Sequence, residues 1–203
     1  MILIGQYDSP FVRRVGIALS NYGFAFEHRP WSVFGDAERV RAVNPLMRVP
    51  VLVLDDGLSL TDSHMILDYL DGQVDQPLFP REGRARAVAL RRATLACGAA
   101  EKAVSLFYEQ RLHTVTSAQW EARCQLQIGS VLEALEAEAT DAPYWEAEMG
   151  HADIALTCAL RFIDEAHPGL FDAQTFPKLR KRARAMEAMA VFQTIAQPFI
   201  APA

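Results

Sequence analysis

Ser9-Pro10 stands where a strand must hand over to a helix, and few other features limit the fold of this chain as much. The preceding run Met1-Ile2-Leu3-Ile4-Gly5 reads as a short buried strand. In the following run, Phe11, Val15, Ala18 and Leu19 are apolar at the spacing of one helix face. Serine is a favoured N-cap, and proline suits the first helical position because its missing N–H would have no intrahelical partner. A hydroxyl is therefore presented beside the positive end of a helix. Such a place can hold an anion, a thiolate among them, although the same dipeptide also begins ordinary helices.

The next seventy residues give that start its context. A second strand is expected over 25–31 and a short charged helix over 36–43. Asn44-Pro45-Leu46-Met47-Arg48-Val49-Pro50 then leads into a third strand, Val51-Leu52-Val53-Leu54. The turn Asp55-Asp56-Gly57 joins it to a short fourth strand, Leu58-Ser59-Leu60, as a hairpin. Thr61-Asp62-Ser63 opens a helix over 64–70. The order is βαβ followed by ββα.

Taken together, these motifs resemble the glutathione S-transferase superfamily. The matching residues are Ser9-Pro10-Phe11 with Arg13 and Val15, Asn44-Pro45, Arg48-Val49-Pro50-Val51-Leu52, and Asp62-Ser63 with Ile66 and Tyr69-Leu70. The nearest flavour is the bacterial serine-type group. The resemblance extends over nearly the whole chain. It implies a thioredoxin-like N-terminal domain with a mixed four-stranded sheet, followed by an all-α C-terminal domain.

The resemblance also implies a site for one tripeptide. The Val49-Pro50 bond is cis in this family, which turns the Val49 N–H and C=O toward an extended peptide that pairs as an added strand. Glutathione is such a peptide, and its sulfur would lie near Ser9, with Phe11 beside it. Asp62 would face the γ-glutamyl ammonium and Ser63 the carboxylate. Arg48 would meet the glycine carboxylate. No metal is implied. Each motif has a plain structural reading as well: an edge-strand proline, a capping pair, a solvated arginine.

The chemistry would rest on the thiol. A free thiol titrates near about 8.5, so only a few per cent is thiolate at neutral pH. A serine hydroxyl is far too weak an acid to act as the base. Ser9 would instead donate a hydrogen bond to the sulfur, aided by the helix start. Tyr7 is the competing hydroxyl, because other classes of the family use a phenol. Its place upstream of Ser-Pro fits a packing role better.

Composition narrows the alternatives. The net charge is −5 without a basic block, which argues against a nucleic-acid partner. The richest basic stretch, 178–184, has helical spacing and reads as a solvated face. Cys97, Cys124 and Cys158 show no metal or redox spacing, so they read as reduced core thiols of a cytoplasmic protein. No apolar run has membrane-spanning length, and no secretory leader is recognisable.

Pro77, Pro80 and Gly83 mark a linker over 75–83, dividing a domain of residues 1–74 from a helical domain of 84–203. Trp120, Cys124, Gln127, Ile128, Val131, Leu132 and Leu135 mark one amphipathic face. The stretch 152–163 is apolar nearly all round and belongs in a core. Gly150-His151-Ala152-Asp153 resembles the family's internal capping box, but glycine at its head supplies no side-chain acceptor. Met47 stands where relatives often carry glycine. By resemblance, Phe11, Phe107, Tyr108 and Arg111 would line a second-substrate pocket, although adjacent helical residues point about 100° apart. The helix rich in small residues over 85–103 would form a two-fold homodimer surface. The leading function is transfer of glutathione to small, mostly apolar electrophiles; a non-catalytic glutathione binder or a protein-interaction member of the same fold is the alternative.

Overall fold

The computed structural model describes residues 1–199. The first elements are β1 (Ile2–Ile4), α1 (Pro10–Asn21), β2 (Glu27–Arg29), α2 (Ala37–Val43), β3 (Val51–Val53), β4 (Ser59–Thr61) and α3 (Ser63–Asp71). The strands form one mixed sheet in the order β2-β1-β3-β4. β1 runs parallel to β2, with Leu3 opposite His28, and antiparallel to β3, with Leu3 opposite Leu52. β3 and β4 close the antiparallel hairpin expected around Asp55-Asp56-Gly57. This is the βαβ-ββα architecture that the sequence pattern implied.

The expected second strand, 25–31, is trimmed to three residues. β2 is an edge strand paired only with the three-residue β1, so its ladder ends where that partner ends. The core beneath the sheet joins alternate strand residues to one face of two helices. Leu3 and Leu52 meet Val12, Val15 and Leu19 of α1 and Ile66, Leu67 and Leu70 of α3, all fully buried. Burying each such aliphatic side chain favours the fold by about 1.5–3 kcal/mol before conformational entropy is charged against it.

The later elements are α4 (Gly83–Leu112), α5 (Ala118–Glu138), α6 (His151–Ala166), α7 (Pro177–Glu187) and α8 (Ala190–Thr194). Residues 1–78 and the described residues from Ala190 onward form one compact unit, and Phe79–Met189 forms a second. α8 therefore groups with the sheet, not with the helices of the 84–203 division. The cause is local: Phe192 of α8 is fully buried, and α8 packs on α1.

In the second unit, α4 packs against α5 and α6. The α5 stripe is buried at Cys124, Ile128, Leu132 and Leu135. α6 is buried from His151 to Leu160 without a break. Its start is held from one side chain: Asp153 accepts from the amides of Gly150 and Trp145, each at 3.0 Å. The glycine-led box thus keeps the half that Asp153 supplies.

The basic stretch 178–184 departs from a solvated face. Lys178, Lys181 and Arg184 are exposed, but Arg182 is only 4% exposed. Its guanidinium lies 3.7 Å from Asp153 and stacks on Trp145, whose ring also carries Arg92, each at 4.3 Å from the centroid. Arg180 pairs with Asp164 at 2.7 Å and lies over Phe171. Helical spacing showed the periodicity but not the aromatic ring and carboxylate that each of these two arginines meets.

Candidate functional site

The first unit brings the N-terminus of α1, the bend before β3 and the start of α3 together around its sheet. Ser9 caps α1 from extended backbone, and its Oγ accepts from the Val12 amide at 3.4 Å. A hydroxyl that accepts one bond keeps its own proton to donate elsewhere. Proline at the first helical position follows, as the sequence pattern required.

Gly5 makes the approach of these segments possible. Its φ is +125°, a region that favours glycine, and a Cβ there would lie 2.5 Å from Val12 Cγ2 and 2.8 Å from Val49 Cβ. The first turn of α1 and the Val49 bend therefore close on the space that a side chain at residue 5 would fill. The spacing of apolar residues gave no sign of this contact.

The Val49-Pro50 bond is cis. Among the described residues, no hydrogen bond engages the main chain of Val49. The bend before it is built by Asn44, which is 2% exposed. Its side chain donates to the Arg48 carbonyl at 2.7 Å and accepts from the Leu46 amide at 3.0 Å. Met47 adopts a φ of +53° in the middle of this bend, which explains why glycine suits the position. Arg48 itself is exposed.

Asp62 caps α3 by accepting from the His64 amide at 2.8 Å, with its own φ at +67°. A non-glycine residue held in that region marks a constrained, often functional position. Ser63 is 3% exposed, and its Oγ accepts from Arg14 Nη1 at 3.3 Å. The pair thus presents an exposed carboxylate beside a hydroxyl anchored to α1.

Tyr7 is packed, as its upstream place suggested. Its ring lies flat on His28, with centroids 3.8 Å apart and planes 10° apart. Its amide donates to Gln197 Oε1 at 2.8 Å. Burial pushes its phenol up to about 12, so it stays protonated near neutrality.

The expected second-substrate residues divide between the units. Phe11 is half-buried in the first. In the second, Phe107 is 5% exposed, Tyr108 is half-buried, and the Arg111 guanidinium lies 5.7 Å from the Phe107 centroid. Phe107 is thus a core ring that also meets His167 edge-on at 6.3 Å. The three cysteines are buried and free of disulfides. Among the described residues, no cluster of His, Cys, Asp or Glu is arranged to hold a metal ion, and no helix is long and apolar enough to cross a membrane.

Several residues that build this site were not singled out by sequence. Gly5, Arg14 and His28 act through partners far along the chain, which local patterns do not show; Asn44, read only as part of the Asn44-Pro45 motif, acts locally on Leu46 and Arg48. A positive-φ requirement at Gly5 was the only local signal available.

Comparison with known proteins places the chain among its relatives by sequence and fold. The family described as the glutathione S-transferase N-terminal domain matches residues 3–78. An uncharacterized GST-like protein of Escherichia coli K12, YibF, is 29% identical over 166 residues, covering 81% of this chain and 82% of that one. A glutathione transferase family member from Pseudomonas fluorescens Pf-5, solved with bound glutathione, is 32% identical at a TM-score of 0.88, covering 98% of this chain and 99% of that one. A glutathione S-transferase from Methylobacterium radiotolerans, in complex with glutathione sulfonate, is 29% identical at a TM-score of 0.90, covering 100% and 98%. The likeness to the first of these solved structures runs from end to end at an identity that unrelated chains do not share. The chain belongs to the glutathione transferase family.

Proposed function

We propose that this chain is a serine-type glutathione transferase that binds reduced glutathione in its first unit and activates the thiol for attack on small electrophiles. The observation that carries the reading is the Gly5 contact. Val12, in the helix turn that Ser9 caps, and Val49, whose main chain is unengaged, both close on Gly5, which supports the reading. This brings the turn that would carry the sulfur donor to the same side of Gly5 as the edge that would receive an extended peptide.

In this reading, the cysteine segment of glutathione pairs with the Val49 main chain as an added strand. Pro50 holds that edge, and Phe11 flanks the sulfur. Asp62 faces the γ-glutamyl ammonium, Ser63 donates to its carboxylate, and Arg48 meets the glycine carboxylate. Ser9 donates its O–H to the sulfur, so the thiol proton leaves to solvent at lower pH. The thiolate then forms a carbon–sulfur bond with the electrophile while the leaving group departs with its electron pair. Tyr108 and Arg111 of α4 are assigned to the second substrate, while Phe107 stays in the core beside the Arg111 guanidinium.

Three buried thiols without disulfides suit a reducing compartment, so the assigned location is the cytoplasm. The homodimer is assigned by family resemblance to the outer face of α4, where Ala87, Leu90 and Thr94 are exposed, because most of the helix's other alanines are buried within the chain. Calorimetry with millimolar reduced glutathione should give saturable heat, and an electrophile panel should show glutathione-dependent turnover. No heat and no thermal shift would remove the reading; heat without turnover would leave a binder.

A further inference from the structure

The geometry points to His28 as a positioning residue that fixes the Ser9 loop through Gly5 and Tyr7. This rests on the reading of Ser9 given above. His28 is the middle residue of β2, and its Nε2 lies 2.8 Å from the Gly5 carbonyl oxygen. A carbonyl only accepts, so Nε2 carries the proton and donates. The Gly5 amide in turn donates to the Arg29 carbonyl at 2.9 Å. Both polar groups of Gly5 are therefore tied to β2.

The consequence follows from what Gly5 touches. Val12 and Val49 close on the position its Cβ would take, so displacement of Gly5 moves both. Val12 gives its amide to Ser9 Oγ, and Val49 offers the peptide edge. The second support is the Tyr7 ring, which rests flat on His28. The same ring meets α1, where a Cβ on Gly16 would lie 2.9 Å from Tyr7 Cε1. His28 thus braces the segment from Gly5 to Ser9 at its first residue, Gly5, and at its middle, Tyr7. Misplacing a reacting group by about 1 Å can cost a hundredfold in rate, so such a brace affects chemistry from outside the site.

Two variants separate its contributions. His28→Phe keeps a flat ring under Tyr7 but removes the donor to Gly5. His28→Gln places an amide donor near the position of Nε2 and removes the ring. Hydrogen exchange is measured first on the unliganded protein, at the Ser9 amide, bonded to Gln6, and the Arg13 amide, bonded to Ser9. In His28→Phe both should exchange roughly tenfold faster, the worth of one hydrogen bond, while Ala18 and Leu19 deeper in α1 stay near wild type. His28→Gln should recover most of that protection.

With glutathione bound, the thiolate absorbance of His28→Phe should titrate at higher pH, and kcat should fall roughly tenfold with KM for glutathione within about threefold. Unchanged exchange at Ser9 and Arg13 would overturn the assignment. Equal acceleration throughout α1 would also overturn it, since His28 would then act only on global stability. If wild type binds no glutathione, the functional reading fails and the exchange measurements alone decide the brace. If His28→Phe does not fold, His28→Asn replaces it, because the shorter amide does not reach the Gly5 carbonyl, and the same outcomes apply.

Discussion

In the first turn of α1, Arg13 donates from Nε to the carbonyl of Ile195, 2.8 Å away. Nη2 donates to the Phe192 carbonyl at the same distance, and the guanidinium lies 5.5 Å from the Phe192 centroid. The arginine is 2% exposed, so these carbonyls take the place of water for the buried cation. α8 is secured to the turn that follows Ser9 by this one side chain and by the apolar burial of Phe192.

Arg13→Ala should therefore destabilise the protein by about 2–3 kcal/mol, the range for losing charge-assisted bonds to buried carbonyls. Arg13→Lys should recover only part, because an ammonium is a point charge that does not reproduce the guanidinium fork. Urea unfolding of the three proteins checks this. An Arg13→Ala midpoint equal to wild type would mean that water satisfies both carbonyls.

Met47→Gly should stabilise the fold. The left-handed region costs a side-chain-bearing residue about 1–2 kcal/mol, and the extra entropy of glycine in the unfolded chain returns about 0.5–1 kcal/mol of that. A net gain of up to about 1 kcal/mol is expected by thermal or urea unfolding. Met47→Ala should show no such gain, because its Cβ retains the same clash. Equal effects of Gly and Ala would trace the change to the exposed side chain instead.

Much of the fold was legible because its signals are local. Helix periodicity, the Ser-Pro cap, the Asp55-Asp56-Gly57 turn and the Asp62 cap each act within a few residues. The site motifs could be read for the same reason. What surrounds them could not. Arg13 finds its carbonyls 182 and 179 residues away, and Arg14 finds Ser63 at a separation of 49. Arg182 reads as surface by spacing, yet it is buried against Trp145 and Asp153, residues from a loop and from another helix. Met47 lies between these cases. Its departure from glycine was visible in sequence, and its φ of +53° supplies the physical reason.

His167 should make stability fall at mildly acid pH. Burial holds its imidazole below its ordinary value near 6.5, opposed in part by the bond from Nε2 to the Ala103 carbonyl at 2.8 Å. The unfolded chain therefore takes up a proton at a higher pH than the folded one. Stability is complete above about 6.5 and declines as pH drops from there through the lower folded value, at most about 1.4 kcal/mol per pH unit for one proton. Unfolding free energies at pH 7.5 and 5.5 should differ less in His167→Gln, which can keep a donor without titrating. An identical pH dependence would assign the effect to other groups.

Asp62→Asn isolates charge from capping at the start of α3. The amide oxygen still accepts from the His64 amide, and asparagine tolerates a positive φ. Stability should change by less than about 1 kcal/mol. Glutathione affinity should fall tenfold or more, since a charge-assisted contact is worth about 1.5–3 kcal/mol. A stable variant with unchanged dissociation constant would leave Asp62 as a cap alone.

The activating hydroxyl is tested by comparing Ser9→Ala with Tyr7→Phe. In the proposed function the Ser9 hydroxyl acts on one atom, the sulfur, and its value depends on that sulfur being charged. The same proposal assigns the peptide contacts to Val49, Asp62 and Ser63. Ser9→Ala should therefore reduce turnover more than glutathione affinity. Losing one donor to an anion costs about 1.5–3 kcal/mol, which moves the thiol titration up by about one to two pH units. The absorbance of the bound thiolate, followed against pH, should shift accordingly. Tyr7 is stacked on His28 with its phenol pushed up to about 12, so Tyr7→Phe keeps the ring and should leave the titration nearly in place. A shift in Tyr7→Phe with none in Ser9→Ala would transfer the activating role to the phenol.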